Sequence, residues 1–174
     1  MPRKPGFAPL QARVVRQSRI YYRHTSYSAF PHLIRQGGDE LLLAFREAPT
    51  HEYVRHTHPR SVITVMRSYD LGRSWETKEA TQVAAGGGQE FAPIDLGKGR
   101  IGAAVAAHEV APEQEADRAG LRWDNSREYP FSIVGGLWCW SDNWGLTWPL
   151  HQCTLVAPGM QCCAPPVQTA DGTL

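Results

Sequence analysis

Charged and imidazole side chains gather where apolar runs of this sequence end. Arg46-Glu47 closes the run Leu41-Leu42-Leu43-Ala44-Phe45, and the polar stretch after it carries His51, Glu52, His56 and His58. A guanidinium at such a place offers a planar fork of donors that suits a carboxylate ligand. The same residues also read as an ion pair, Arg46 with Glu47 or with a neighbouring element, and spacing leaves both readings open. His56-x-His58 is half of a metal-ligand set, but no third ligand accompanies it. Solvated loop histidines are the simpler reading, and neither a metal nor a cofactor is expected. Glu90 opens a second apolar run; His108 closes another and is followed by Glu109, Glu113, Glu115 and Asp117. His108 reads equally as a satisfied, partly buried histidine or as a site residue.

Gly97-Lys98-Gly99-Arg100-Ile101-Gly102 fits the G-x-G-x-x-G pattern, with Asp117 about where a ribose-binding acid would fall. Yet Gly97-Lys98-Gly99 occupies the slot filled by Gly37-Gly38-Asp39 and by Ala170-Asp171-Gly172 in related segments. A hairpin turn explains all three, so no dinucleotide is expected.

The elements that must hold these residues are short. Six tryptophans, thirteen prolines and sixteen glycines in 174 residues point to strands and turns rather than a helical bundle. The formal charge of +1, with both signs scattered, argues against nucleic acid or an anionic membrane as partner. No apolar run approaches the ~20 residues that span a bilayer as a helix. The basic start, Met1 to Pro9, lacks the apolar segment of a secretory signal, so a cytoplasmic location is expected. Cys139, Cys153, Cys162 and Cys163 do not have zinc spacing, and their apolar neighbours suggest buried free thiols rather than disulfides.

A repeat runs through the chain. Ala29–Arg35 and Glu40–Arg46 read as paired strands around a turn, Ser61–Arg67 as a third strand and Glu76–Val83 as a fourth. Glu90–Leu96 and Arg100–Ala107 restart the cycle; Phe131–Val134 and Cys153–Val156 continue it, and Cys163–Gln168 begins a third unit. Pro31, Pro93 and Pro165 fall 62 and 72 residues apart, and Ser68 and Ser141 fall 73 apart. After the third strand comes Ser68-Tyr69-Asp70-Leu71-Gly72-Arg73-Ser74-Trp75, which returns as Ser141-Asp142-Asn143-Trp144-Gly145-Leu146-Thr147-Trp148. A short carboxylate at the third position can accept backbone N–H groups across a tight turn. Gly72 and Gly145 tolerate positive φ, and Trp75 and Trp148 can pack beneath the turn. With Asn143 in place of aspartate, the second turn is expected to be the weaker.

These two stretches resemble the Asp-box, or BNR repeat, of the sialidase (neuraminidase) superfamily. The segment Ser28 to Trp75 is similar to a divergent bacterial sialidase-like subgroup in Ala29-Phe30-x-x-Leu33-Ile34-Arg35 and Phe45-Arg46-Glu47-x-x-x-x-His51. The resemblance implies an all-β propeller of four-stranded antiparallel blades, with about two and a half blades here where propellers typically have roughly 4–8. Residues 1–27 would be a lead-in with a possible ring-closing strand, 28–85 the first blade, 89–158 the second and 161–174 the start of a third. The remainder of the ring is expected beyond Leu174.

In such a fold the starts of first strands and the ends of second strands share one mouth with the loops that follow them. That mouth would collect Arg46, Glu47, His51, Glu90 and His108 as substrate-binding residues, joined by Tyr27, Ser28, Gln89 and Gln161. The Asp-box residues Ser68, Asp70, Gly72, Trp75, Ser141, Asn143, Gly145 and Trp148 would lie at the other end as structural markers. The resemblance further implies a glycoside hydrolase acting on an acidic sugar, with Glu52, His56 and His58 as catalytic candidates. The sialidase Phe/Tyr-Arg-Ile-Pro motif, aligned on Pro31, has no arginine here, and the loop offers no aspartate. A non-catalytic glycan-binding propeller, or a propeller lyase or hydrolase of uronate glycans, are the alternatives.

Overall fold

The computed structural model describes residues 13–14, 17–49, 58, 60–83, 90–110, 118, 122–123 and 130–174. The chain is all-β and antiparallel, in two sheets. The first sheet is the meander β1 (Ser26–Gly37), β2 (Glu40–Pro49), β3 (Val62–Ser68) and β4 (Glu76–Val83), paired in chain order. The second contains β5 (Glu90–Gly97), β6 (Arg100–Val110), β7 (Arg122–Trp123), β8 (Pro130–Ser141) and β9 (Thr154–Pro158). Its order is β5-β6-β8, and both the short β7 and the longer β9 pair with β8. Both sheets thus repeat one four-strand path, as the sequence period requires.

Alternation along the strands divides the side chains between faces. Leu42, Ala44, Ile63 and Val65 of the first sheet meet Phe91, Ile101, Ala103, Val105 and Cys139 of the second in one dry core. The opposite face of the first sheet presents Leu43, Phe45 and Met66, against which Tyr21, Trp75 and Ala80 pack. Pro31 and Pro93 fit because β1 and β5 are edge strands, where a missing N–H interrupts no inner ladder. At Pro31 the register shifts, and Phe30 takes a positive φ of 54°.

The two Asp-boxes close the same cage. Ser68 Oγ donates to Asp70 Oδ1 (2.8 Å) and accepts from Gly72 N–H (2.8 Å), while Ser74 N–H donates to Asp70 Oδ1 (2.8 Å). Ser141, Asn143, Gly145 and Thr147 repeat these contacts at 2.9, 3.0 and 3.0 Å. Only the last contact reverses: Ser74 Oγ donates to Asp70 Oδ2, whereas Asn143 Nδ2 donates to Thr147 Oγ1. Asparagine keeps each of these contacts, so the second cage closes as the first does. Each turn also ties back to the first hairpin of its own sheet, Leu71 N–H to Asp39 O (2.9 Å) and Trp144 N–H to Gly99 O (2.7 Å). Trp148 is buried edge-on against Phe91, with ring centroids 4.7 Å apart. Trp75, expected to be buried beneath its turn, is only half-buried.

The G-x-G-x-x-G match is structural. Gly97-Lys98-Gly99 is the β5–β6 turn, with all three residues at positive φ. Gly102 lies beneath the Trp138 ring, and a Cβ there would stand 2.1 Å from it.

Three expectations are corrected. The described residues from 13 to 23 form no strand; instead Tyr21 and Arg23 dock on the first sheet through their side chains. Cys163–Gln168 is also irregular, although a turn does follow at Ala170–Asp171. Cys139 and Cys153 form a disulfide, with Cα atoms 4.5 Å apart. They lie one step beyond the Trp138–Thr154 pair of the β8–β9 ladder, so strand register brings them together. Cys162 is half-buried and Cys163 exposed, both as free thiols.

Candidate functional site

Strand direction sorts the chain into two ends. The turns after β1, β3, β5 and β8 lie at one end, and the start of β1, the end of β2 and the starts of β3 and β5 lie at the other. Arg46, Glu47 and Glu90 belong to that second end. They do not share a face.

Arg46 pairs across with Ile63 on the face toward the second sheet and is fully buried, at 0% exposure. Its Nε donates to Ser61 Oγ at 3.0 Å. Glu47, the next residue, points to the opposite face because successive strand residues alternate. An Arg46–Glu47 ion pair is excluded by that alternation. The Glu47 carboxylate accepts from Tyr21 Oη (2.9 Å) and Ser26 Oγ at one oxygen and from Thr64 Oγ1 (2.7 Å) at the other. Arg23 Nη1 adds an ion-pair contact at 3.3 Å. Burial opposes the charge on Glu47, but the three hydroxyl donors and Arg23 outweigh it and hold the group below the usual carboxylate range. Burial and the bond to Glu47 push the Tyr21 phenol up to about 12.

Beside this cluster lies a polar cavity of about 230 Å³, bordered by Arg23, Thr25, Ser26, Glu47, Arg60 and Val62 among others. Arg23 and Arg60 are both exposed residues. Tyr21, Arg23, Ser26 and Arg60 were not singled out as site residues by sequence reasoning. Their only signal was proximity to the strand ends that flank Glu47.

The remaining candidates are spread out. His58 is fully buried rather than solvated, and its Nδ1 accepts the Arg60 N–H at 3.0 Å. His108 is buried and contacts Gln161 Nε2, so these two predicted mouth residues do meet. Glu90 lies near Cys163, whose thiol is raised first by burial and then by that carboxylate. Tyr27 and Ser28 are exposed at the start of β1. His51, Glu52, His56, Gln89, Glu113, Glu115 and Asp117 lie outside the described residues. Among the described residues, no three His, Cys, Asp or Glu side chains gather as a metal site.

No protein-family model and no curated protein matches the chain. It is similar in structure to a protein of unknown function from Dyadobacter fermentans DSM 18053, with a TM-score of 0.67 at 19% identity. The match covers 88% of this chain and 46% of that one, so the chain spans less than half of that neighbour's length. At this identity the likeness concerns fold alone.

Proposed function

We propose that the chain is part of a sialidase-like β-propeller that recognises an acidic glycan at the strand end opposite the Asp-box turns. The propeller reading is supported by the two repeated four-strand paths and their matching cages. The observation that carries the ligand reading is the polar cavity beside Glu47, bordered by the two exposed arginines Arg23 and Arg60. Glu47 is saturated with donors and serves to fix Tyr21, Arg23 and Ser26 in place. The arginines supply the charge that draws a sugar carboxylate.

Binding is favoured over hydrolysis by these residues. A tyrosine–glutamate contact has the makings of an activated nucleophile, but the Glu47 carboxylate is already engaged by Ser26, Thr64 and Arg23, which makes it a weak base for the phenol. Calorimetric titration with sialyllactose and a uronate oligosaccharide tests the proposal. Arg60→Ala and Arg23→Ala are expected to weaken binding of an acidic sugar by ~10-fold or more. Equal affinities would remove the cavity from the function, and turnover of a fluorogenic sialoside would favour the hydrolase instead.

A further inference from the structure

The end of the sheets that carries the Asp-box turns holds a second cavity, of about 210 Å³. It is lined by Gln36, Glu40, Arg67, Tyr69, Trp144 and Leu146, residues of the first sheet and of both Asp-box turns. We propose that this groove binds a neutral saccharide, independently of the acidic-glycan reading for the opposite end.

The groove is bounded by bonds from the first sheet to the second Asp-box turn. Arg67 Nε donates to Trp144 O at 3.2 Å, and Thr81 Oγ1 donates to Leu146 O at 3.1 Å. Two large aromatic side chains stand at its edge, Tyr69 57% exposed and Trp144 46% exposed. Trp144 is fixed despite that exposure. Its N–H is bonded to Gly99 O, its ring lies over Gly99, and its backbone has a φ of 60°, unusual for so bulky a residue. A half-exposed tryptophan held in a sparsely populated conformation is a preorganised apolar platform, the kind that receives the C–H face of a sugar ring.

The polar lining suits the hydroxyls. Gln36 has only 9% exposure, and its Nε2 finds no acceptor among the described residues. Buried amide donors are seldom left unpaired; Nε2 has no open surface in this conformation, so a ligand oxygen becomes its partner when the Gln36 side chain turns toward the groove it lines. Glu40 supplies an acceptor, and the opposite charges of Glu40 and Arg67 in the lining give no net pull on an ion. Donors and acceptors around an aromatic platform, without an excess of either charge, match a neutral pyranose better than an anion.

The test is titration of the 174-residue chain, followed by tryptophan fluorescence, with neutral cello-, xylo-, manno- and chito-oligosaccharides. Saturable binding by at least one series is expected. Trp144→Ala and Tyr69→Ala should each weaken it ~10-fold or more. Gln36→Met separates binding from folding. Replacing a buried unpaired amide with an apolar side chain of similar length should hold or raise Tm while weakening the saccharide ~10-fold. Arg23→Ala, at the opposite end, should leave neutral-sugar binding unchanged, so this result does not depend on the acidic-glycan site. No binding by any neutral series up to about 10 mM would overturn the proposal. Wild-type affinity in folded Gln36→Met and Tyr69→Ala would overturn it equally.

Discussion

Arg46 and Glu47 show how a pair of charges can be divided by one peptide step. Arg46 is enclosed between the sheets with Ser61, and Glu47 is enclosed on the other face by Tyr21, Ser26, Thr64 and Arg23. Both positions are therefore structural before they are functional. Arg46→Lys replaces a planar fork with a point charge that cannot reproduce the Nε bond. A lower Tm is expected in melting curves, with acidic-sugar affinity per folded molecule unchanged. Glu47→Ala strands the buried Thr64 hydroxyl and frees the part-buried Tyr21 and Ser26, and should cost about 1–3 kcal/mol in denaturant titration. Glu47 is depressed below its ordinary value of 4.5. Its contribution is accordingly complete above that pH and lost as pH falls through the lower folded value. Insensitivity of folding to Glu47→Ala would show that the cluster anchors nothing.

At the scale of the turn, the molecule carries its own comparison. Asp70 and Asn143 occupy matching cages, but only Asp70 titrates. The Ser74 backbone N–H, then the Ser74 and Ser68 hydroxyls, hold its pKa down to about 2 from 3.8. Stability from this carboxylate is present above the unfolded value and is lost as pH falls from about 4 to about 2. Asp70→Asn should keep the cage, as Asn143 does, with Ser74 Oγ reversing to accept from the new amide. Its Tm at neutral pH should stay near wild type, and its acid-limb loss should be smaller. Asp70→Ala should lower Tm at both pH values. Thermal melts across that range check the difference, and parallel acid limbs for wild type and Asp70→Asn would refute it.

At the scale of the whole molecule, the two sheets protect each other unequally. Their facing sides form one core, while the β8–β9 pair and the segment after it leave Val134, Leu155, Val156, Met160 and Val167 exposed. Among the described residues β9 pairs with β8 alone, and an open strand edge that carries exposed apolar side chains favours association. The 174-residue chain is expected to self-associate with rising concentration in sedimentation velocity. Val156→Lys with Val167→Lys should reduce that association. A monomer unchanged across the concentration range would show that this surface is not sticky.

From the sequence by itself, β7 and the extension of β8 from 135 to 141 were not legible, whereas β1 to β6, the first part of β8, β9 and the turns between them were. The reason is that those features are local: side-chain alternation fixes a strand, and Ser68, Asp70, Gly72 and Ser74 complete a cage within seven residues. The same locality explains why Gly97-Lys98-Gly99 was legible as a hairpin despite its nucleotide-like spacing. Which face of β2 is enclosed by what depends on the packing of the sheets and of the segment before β1. Arg46 became an interior residue because the second sheet covers its face, and Glu47 became an anchor because Tyr21 and Arg23 dock on the other. The Cys139–Cys153 bond depended on the register of β8 with β9, across a connection whose length the cysteine spacing does not encode. The Tyr69–Trp144 groove likewise exists because two turns 73 residues apart are packed side by side, a contact set by the core between the sheets rather than by either turn.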